Sequence, residues 1–345
     1  MLTRAAILFE LNKPLRIEEI EIPLLEPGQI LVRVAYSGVC HSQLMEVKGQ
    51  RGKDLYLPHL LGHEGSGEVV EIGKLVKKVK IGDKVALTWI KGEGANCPGA
   101  KYKFGDQIIN AGGVTTFSEY TVVSENRCVK IPDDFPLDVA SIIGCAVLTG
   151  AGMVLNTIKP KPENSIAIFG AGGGIGLSAV MGAKICNCSK IIAVDIDNTK
   201  LNLAKELGAT HIINAKESDS LSVIKDLTDG VGLDFAVDSA GRTQTIETAF
   251  NSVRRNGGLC VFASHPSAGE KIQIDPYELI CGKQIRGSWG GESDPDRDVS
   301  RFIDFYNTGK LPLNKMISHK FNLKEINNAL SELVQGSLGR IIVCP

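Results

Sequence analysis

The feature that most constrains the fold is a glycine cluster set between an apolar strand and a helix. The segment 165–185 reads SIAIFGAGGGIGLSAVMGAKI, and the next apolar strand, KIIAVD, ends at Asp195. Glycine lets the backbone turn sharply and approach a pyrophosphate, whose charge is then met by the N-terminal dipole of the helix. The segment therefore predicts a dinucleotide site in an α/β domain.

The predicted coenzyme contacts lie in the glycine loop itself: Gly170, Gly172, Gly173, Gly174, Ile175 and Gly176. The loop reads GxGGGxG, one residue longer than the plain GxGxxG pattern, so a local bulge or shifted phosphate contacts are expected. Asp195 is expected to accept hydrogen bonds from the ribose hydroxyls and to repel a 2′-phosphate, which favours NAD over NADP. Lys200 is a further expected coenzyme contact. The alternative is a glycine-rich turn in a domain that binds no ligand.

The pattern of elements changes along the chain, whose 345 residues favour two domains over one. Up to about residue 135, short strands with period-two alternation lie between Gly and Pro turns, which indicates a β-rich module. From Lys161 onward, strands alternate with helices, which implies a parallel, doubly wound sheet. Helices are expected over 298–308 and 323–334, before a final strand, RIIVC, and this tail is expected to return to the first module.

Composition narrows the class of ligand. Lys and Arg number 38 against 39 Asp and Glu, with no block of like charge, so neither nucleic acid nor a membrane surface is an expected partner. A small-molecule substrate is favoured. The N-terminal apolar run is too short for a signal peptide, and the nine cysteines contain no CxxC pair, so we expect a cytoplasmic protein with reduced thiols.

Two short segments of the first module carry metal-binding residue types. Cys40 lies in GVCHS and His63 in GHEG, and a thiolate and an imidazole are both suitable zinc ligands. A catalytic zinc usually takes three protein ligands and leaves one position open. Cys145, in IGCAVLTG, is the best candidate for the third ligand, although a buried cysteine is as often a small apolar side chain.

Five motifs together resemble the medium-chain, zinc-containing alcohol dehydrogenase family: GVCHS, GHEGSGEV, the GDKV turn at 82–85, GCxxxTG at 144–150 and the glycine loop. The branch with class I, class III and aryl-alcohol dehydrogenases is the most similar. The resemblance implies an α/β fold with a GroES-like β-rich catalytic domain (1–146 and 289–345). It also implies a Rossmann domain with a doubly wound parallel sheet (147–288).

The resemblance also implies the chemistry. Cys40, His63 and Cys145 would bind one catalytic zinc. Glu64 would lie next to the zinc site without binding the ion, or would bind it transiently. The reaction would be hydride transfer between an alcohol, primary with an aldehyde product, and NAD. A sugar, polyol or other secondary-alcohol dehydrogenase is the alternative, and a zinc-free quinone or enone reductase or a non-enzymatic lens-type protein is less favoured. A homodimer, or a tetramer, is expected from the family.

The resemblance also implies roles for residues at positions that match the family's functional positions. Ser42 would pass the alcohol proton away from zinc, and Thr149 would pack near the nicotinamide. His41 and Arg340 would contact the pyrophosphate, unless each is merely a solvated surface residue. Trp89 would line the substrate pocket or, alternatively, belong to the core.

The sequence departs from the family in two places. A lobe that carries four closely spaced cysteines in many relatives holds only Cys97 here, in the stretch 88–113, so no structural zinc is expected. Met45 stands where a histidine often ends the proton relay, so protons are expected to leave through water, the ribose or another group. Gln43 replaces the acid that often supports the zinc-bound histidine.

Overall fold

The computed structural model describes all residues, 1–345, and contains eighteen β-strands. In chain order they are β1 (Leu2–Leu8), β2 (Arg16–Glu21), β3 (Gln29–Val39), β4 (His59–Leu60), β5 (Gly65–Ile72), β6 (Lys84–Leu87), β7 (Lys101–Phe104), β8 (Gln107–Asn110), β9 (Tyr120–Ser124), β10 (Cys128–Lys130), β11 (Ser165–Phe169), β12 (Lys190–Asp195), β13 (His211–Asn214), β14 (Phe235–Asp238), β15 (Leu259–Phe262), β16 (Gln284–Gly287), β17 (Ile317–Asn322) and β18 (Arg340–Cys344).

Ten α-helices accompany the strands. They are α1 (His41–Val47), α2 (Leu137–Ala140), α3 (Leu148–Gly152), α4 (Gly174–Ile185), α5 (Asn198–Leu207), α6 (Ser220–Leu227), α7 (Thr243–Ser252), α8 (Pro276–Ile280), α9 (Pro295–Asn307) and α10 (Ile326–Gln335).

The chain divides into two compact units. The first contains Met1–Cys145, Asp294–Asp304 and Leu313–Pro345, and the second contains Ala146–Ser293 and Phe305–Pro312. The second unit thus includes Ala146, residues 289–293 and Phe305–Pro312, all of which the sequence assigned to the catalytic domain. Local packing explains 289–293, because the Ser293 hydroxyl donates to the Leu148 carbonyl oxygen at 2.7 Å.

The first unit is β-rich, as expected from its alternating strands. Strands β1, β2, β7, β8 and β4 close a barrel, and a seven-stranded sheet runs in the order β10, β6, β5, β3, β18, β17 with β9 beside β3. Strand β18 pairs antiparallel with β3, with Ile342 opposite Gly38. The C-terminal tail therefore completes the sheet that carries Cys40 at its end.

The lobe that contains Cys97 (88–113) belongs to this unit. Its hairpin, β7–β8, supplies two of the five barrel strands. The buried Glu125 carboxylate accepts backbone N–H groups from Lys77 at 2.6 Å, Lys78 at 2.8 Å and Ala95 at 2.8 Å. The Cys97 N–H donates to the Ser124 hydroxyl at 2.8 Å. Side-chain hydrogen bonds therefore fix the backbone in a stretch that contains a single cysteine.

The second unit is a parallel sheet with helices between its strands. The strand order is β13, β12, β11, β14, β15, β16, and every neighbouring pair is parallel. The order reverses direction between β11 and β14, and ligands of such sheets bind beyond the carboxyl ends of the strands at this point. The α/β class and the doubly wound parallel sheet predicted from the sequence are confirmed.

One helical run is long and apolar enough to cross a membrane. It extends from Leu137 to Ile158 and includes α2, α3 and π-helical turns. Most of its apolar window, 89%, is buried within the protein, which is typical of a core helix.

Candidate active site

Three side chains that are distant in sequence meet in the first unit. Cys40 caps α1 directly after β3, His63 lies between β4 and β5, and Cys145 lies in a π-helical turn. Their donor atoms all lie within 4.8 Å of one another. His63 Nε2 is buried and has no hydrogen-bond partner. Two thiols and an orphaned imidazole nitrogen fit a catalytic zinc ion, which keeps its fourth position for water or substrate.

The pKa values of the two thiols move in opposite directions. A hydrogen bond from Cys145, together with the nearby Arg340 and His63, lowers the pKa of Cys40 well below its usual value despite burial. The same hydrogen bond and burial raise the pKa of Cys145. The pair thus favours one thiolate and one thiol, and a divalent cation at the site would hold both as thiolates.

A buried ion pair lies next to the thiols. Glu64 is fully buried, and its Oε1 accepts hydrogen bonds from Arg340 Nη2 and, at 2.6 Å, from Arg340 Nε. Its Oε2 accepts the Cys145 N–H at 2.8 Å. A Cβ atom on Gly38 would lie 2.2 Å from Oε1, so this position requires glycine. The carboxylate is therefore fixed by Arg340 and the Cys145 N–H and packs closely on Gly38. It anchors the turn that contains Cys145.

Arg340 is not a surface residue, because only 5% of it is exposed. Burial acts to lower its pKa, but the charges of Glu64 and the two thiols raise that pKa above its usual value. The guanidinium is thus permanently charged. Its engagement with Glu64 through Nε and Nη2 was not foreseen from the sequence, since nothing local links residues 276 positions apart.

The ring of His63 is held through its other nitrogen. Gln43 Nε2 lies 2.6 Å from His63 Nδ1, and the Ser42 hydroxyl lies 3.5 Å from the same atom. Gln43 Oε1 accepts the Cys40 N–H at 2.6 Å. One buried amide therefore joins two of the three candidate ligands.

His63 also borders a cavity of about 370 Å³ in the first unit. Its wall mixes apolar side chains such as Leu11 and Leu60 with the charged Arg51 and Lys53. The wall also holds an unforeseen pair, His59 and Asp54, whose Nε2 and Oδ2 atoms are 2.8 Å apart. Of the three donor residues, His63 is the one that lines this cavity.

Two predicted site residues lie elsewhere in the first unit. Trp89 packs against the apolar core formed by strands such as β3, β5 and β6, and it is not part of the cavity wall near His63. His41 is exposed at the start of α1. Trp89 thus has core contacts and His41 is accessible, and the pocket role of Trp89 and the pyrophosphate contact of His41 stay predictions.

The second unit brings the predicted coenzyme residues together. The glycine loop joins β11 to α4, and the Gly172 N–H donates to Asp195 Oδ2 at 2.9 Å. Gly170 has a φ of 75°, and a Cβ on Gly176 would lie 2.3 Å from the Gly170 carbonyl oxygen. A Cβ on Gly172 would lie 2.2 Å from the Lys200 side chain. The loop is therefore tight enough to require glycine, with Asp195 and Lys200 at its edge.

Gly173, Gly174 and Ile175 begin helix α4, with Gly173 at its N-cap. Thr149, on α3, has a buried hydroxyl with no hydrogen-bond partner. Its neighbour Gly150 packs so closely on α4 that a Cβ would lie 2.1 Å from the Ile175 carbonyl oxygen. Thr149 is thus on the helix that packs against the start of α4.

Comparison with known proteins agrees with these two sites. Residues 26–133 match the family model of the alcohol dehydrogenase GroES-like domain, and residues 174–308 match that of the zinc-binding dehydrogenase. The chain is 33% identical to alcohol dehydrogenase 1 of Pisum sativum, over 99% of this chain and 96% of the relative. It is also 33% identical to S-(hydroxymethyl)glutathione dehydrogenase of Synechocystis, over 99% of this chain and 100% of the relative.

Among solved structures, benzyl alcohol dehydrogenase from Acinetobacter calcoaceticus superposes with a TM-score of 0.91. The two chains are 30% identical, and the match covers 100% of this chain and 99% of the benzyl alcohol dehydrogenase chain. A GroES-like unit with a Cys–His–Cys donor set and a glycine-rich nucleotide loop in one chain define a zinc-dependent nucleotide dehydrogenase. The chain belongs to the medium-chain, zinc-containing alcohol dehydrogenase family.

This membership confirms the main functional predictions. The protein is an oxidoreductase of the alcohol dehydrogenase type, with NAD as its coenzyme and a catalytic zinc. The Cys40, His63 and Cys145 cluster is where that zinc fits.

Proposed function

We propose that this enzyme interconverts a primary alcohol and its aldehyde, with NAD as hydride carrier. The observation that carries the proposal is that His63 belongs both to the metal-binding cluster and to the wall of the 370 Å³ cavity. The names of the relatives support a primary alcohol, since one similar structure is a benzyl alcohol dehydrogenase. Similarity to 2R,3R-butanediol dehydrogenase of Bacillus subtilis, 26% identical with a TM-score of 0.78, supports a secondary-alcohol or polyol enzyme as the second candidate.

The residues of the first unit have separate tasks in this proposal. Zinc, when bound, acts as a Lewis acid on the substrate oxygen. Cys40, His63 and Cys145 hold it, and the Glu64 carboxylate fixes the Cys145 backbone. Ser42, whose hydroxyl reaches the edge of the His63 ring, takes the alcohol proton.

The proton then leaves by a route that bypasses the apolar, buried Met45. We propose that water in the cavity or the coenzyme ribose accepts it from Ser42. His41, exposed at the start of α1, is the proposed pyrophosphate contact. A second contact from Arg340 would use Nη1, because Glu64 engages Nε and Nη2.

In the second unit we assign coenzyme binding to the glycine loop, Asp195 and Lys200, and nicotinamide packing to Thr149. The buried, unpartnered Thr149 hydroxyl supports the last assignment. Asp195 ends β12 and already accepts one loop N–H through Oδ2, so it is held beside the loop as a ribose acceptor.

The second unit also suggests how two chains associate. Strand β16 is an edge of the parallel sheet, with one side of its backbone unpaired. Tyr277 and Ile280 on α8 and Trp289 after β16 are large, exposed apolar side chains. We propose a homodimer through this edge, which could assemble further into a tetramer.

All nine cysteines are free thiols, which supports a cytoplasmic location.

The function is tested with purified protein by elemental analysis and a panel of alcohols followed by NADH absorbance. We expect about one zinc per chain, and faster turnover of primary aliphatic or benzylic alcohols than of polyols or secondary alcohols. In sedimentation, the same preparation should run at twice the 37.0 kDa chain mass. A folded preparation with no zinc or with two, or a preference for secondary alcohols, would contradict the proposal.

The coenzyme assignment is tested with Asp195→Asn. The amide oxygen can still accept the Gly172 N–H, but the negative charge that repels a 2′-phosphate is gone. We expect the ratio of kcat/KM for NADP to that for NAD to rise by about tenfold, or ~1.4 kcal/mol. An unchanged ratio, at an unchanged melting temperature, would show that Asp195 does not face the ribose.

A further inference from the structure

Gln43 joins two metal ligands through a single buried amide. The side chain is 1% exposed and is the third residue of α1. Its Oε1 lies 2.6 Å from the Cys40 nitrogen, and its Nε2 lies 2.6 Å from His63 Nδ1. Both contacts are short, and the amide is almost fully buried.

The Cys40 contact decides which way the amide points. A backbone N–H can only donate, so the atom that faces it must be the carbonyl oxygen of Gln43. The amide is planar, and its NH₂ group is therefore directed at His63 Nδ1. An NH₂ group also only donates, so Nδ1 must accept. In neutral His63 the ring proton is then on Nε2.

This arrangement conflicts with a metal ion on Nε2. Metal binding needs the Nε2 lone pair, and in the neutral ring the proton then moves to Nδ1. The Nδ1–H then faces the NH₂ group of Gln43. Both groups are donors, so no hydrogen bond can form between them. Flipping the amide only transfers the mismatch to the Cys40 N–H. The Ser42 hydroxyl, 3.5 Å from Nδ1, offers an acceptor only at the limit of hydrogen-bond distance.

We propose that Gln43 is a positioning residue that makes the zinc site labile. The side chain holds His63 in place without a metal, and it loses one of its two hydrogen bonds when zinc binds. A carboxylate of the same shape would accept from both the Cys40 N–H and His63 Nδ1–H, and would carry no such mismatch. The proposal rests on the metal site alone, so its failure would leave the proposed alcohol oxidation untouched.

The test is zinc release from Gln43→Glu, an isosteric change. Zinc-loaded protein is mixed with the chromogenic chelator 4-(2-pyridylazo)resorcinol without coenzyme or alcohol, and the release rate is followed by absorbance. We expect release to slow by about 10- to 100-fold relative to the unmodified enzyme. Gln43→Met, which makes neither hydrogen bond, should not slow release.

Gln50→Glu is the matched control, because it adds the same charge at an exposed position of the same segment. It should release zinc at the unmodified rate. Equal or faster release from Gln43→Glu would overturn the proposal.

A second measurement does not depend on any variant folding. In metal-free enzyme with ¹⁵N-labelled histidine, the nitrogen shifts of the His63 ring should show the proton on Nε2, and after zinc loading on Nδ1. A ring that carries its proton on Nδ1 without metal would also overturn the proposal.

Discussion

Cys40→Ser should abolish alcohol oxidation while leaving coenzyme binding intact. The change removes one of three zinc ligands, all of them in the first unit, whereas the glycine loop and Asp195 belong to the second. Metal catalysis supplies several kcal/mol of transition-state stabilisation, so kcat/KM should fall by about a thousandfold or more. NADH binding, measured by fluorescence titration, should change little.

Cys97→Ser provides the matched control. Cys97 is partly exposed, and its thiol donates to the Pro27 carbonyl oxygen at 3.2 Å, a bond that serine can also make. This variant should keep both its zinc and its turnover. Activity that survives in Cys40→Ser would mean that the metal is held elsewhere, and zinc loss in Cys97→Ser would mean that the lobe binds metal.

Arg340→Met should be among the most destabilising single substitutions in the first unit. It leaves the buried Glu64 carboxylate without its cation, and breaking a buried ion pair from one side typically costs about 3–5 kcal/mol. The free energy of unfolding is measured by urea denaturation in a Trp289→Phe background, where Trp89 of the first unit is the remaining tryptophan.

Two comparisons separate charge from packing. Adding Glu64→Gln to Arg340→Met removes the stranded charge and should restore much of the lost stability. Arg33→Met breaks an ion pair between β3 and β5 whose side chains are 56% and 41% exposed, and it should cost less than about 1 kcal/mol. An Arg340 variant no less stable than the Arg33 variant would show that the buried pair does not support the site.

The sequence predicted the second unit well because its signals are local. A strand, a glycine loop and a helix follow one another within 165–185, and α4 begins at Gly174 within the loop motif. Asp195 ends its strand as expected. Each of these features depends on spacing within about thirty residues, which is the range over which such motifs are read.

The first unit is different, because its site is assembled from distant parts of the chain. Cys145 joins Cys40 across more than a hundred positions, and spacing alone did not identify it as a ligand. The resemblance to a family supplied that link. The resemblance also placed Gln43 beside the zinc-bound histidine, as the structure has it. The Glu64 partner of Arg340 was not predicted, since an arginine in a terminal strand carries no signal of what it will contact.

The contacts of the lobe around Cys97 bear on what happens to this part of the fold when the protein loses its metal. The backbone N–H groups of Ala95 and Cys97 donate to Glu125 and Ser124, and the β7–β8 hairpin supplies two barrel strands, so groups of the protein itself hold this region. Loss of the catalytic zinc would therefore leave in place the hydrogen bonds that hold this lobe.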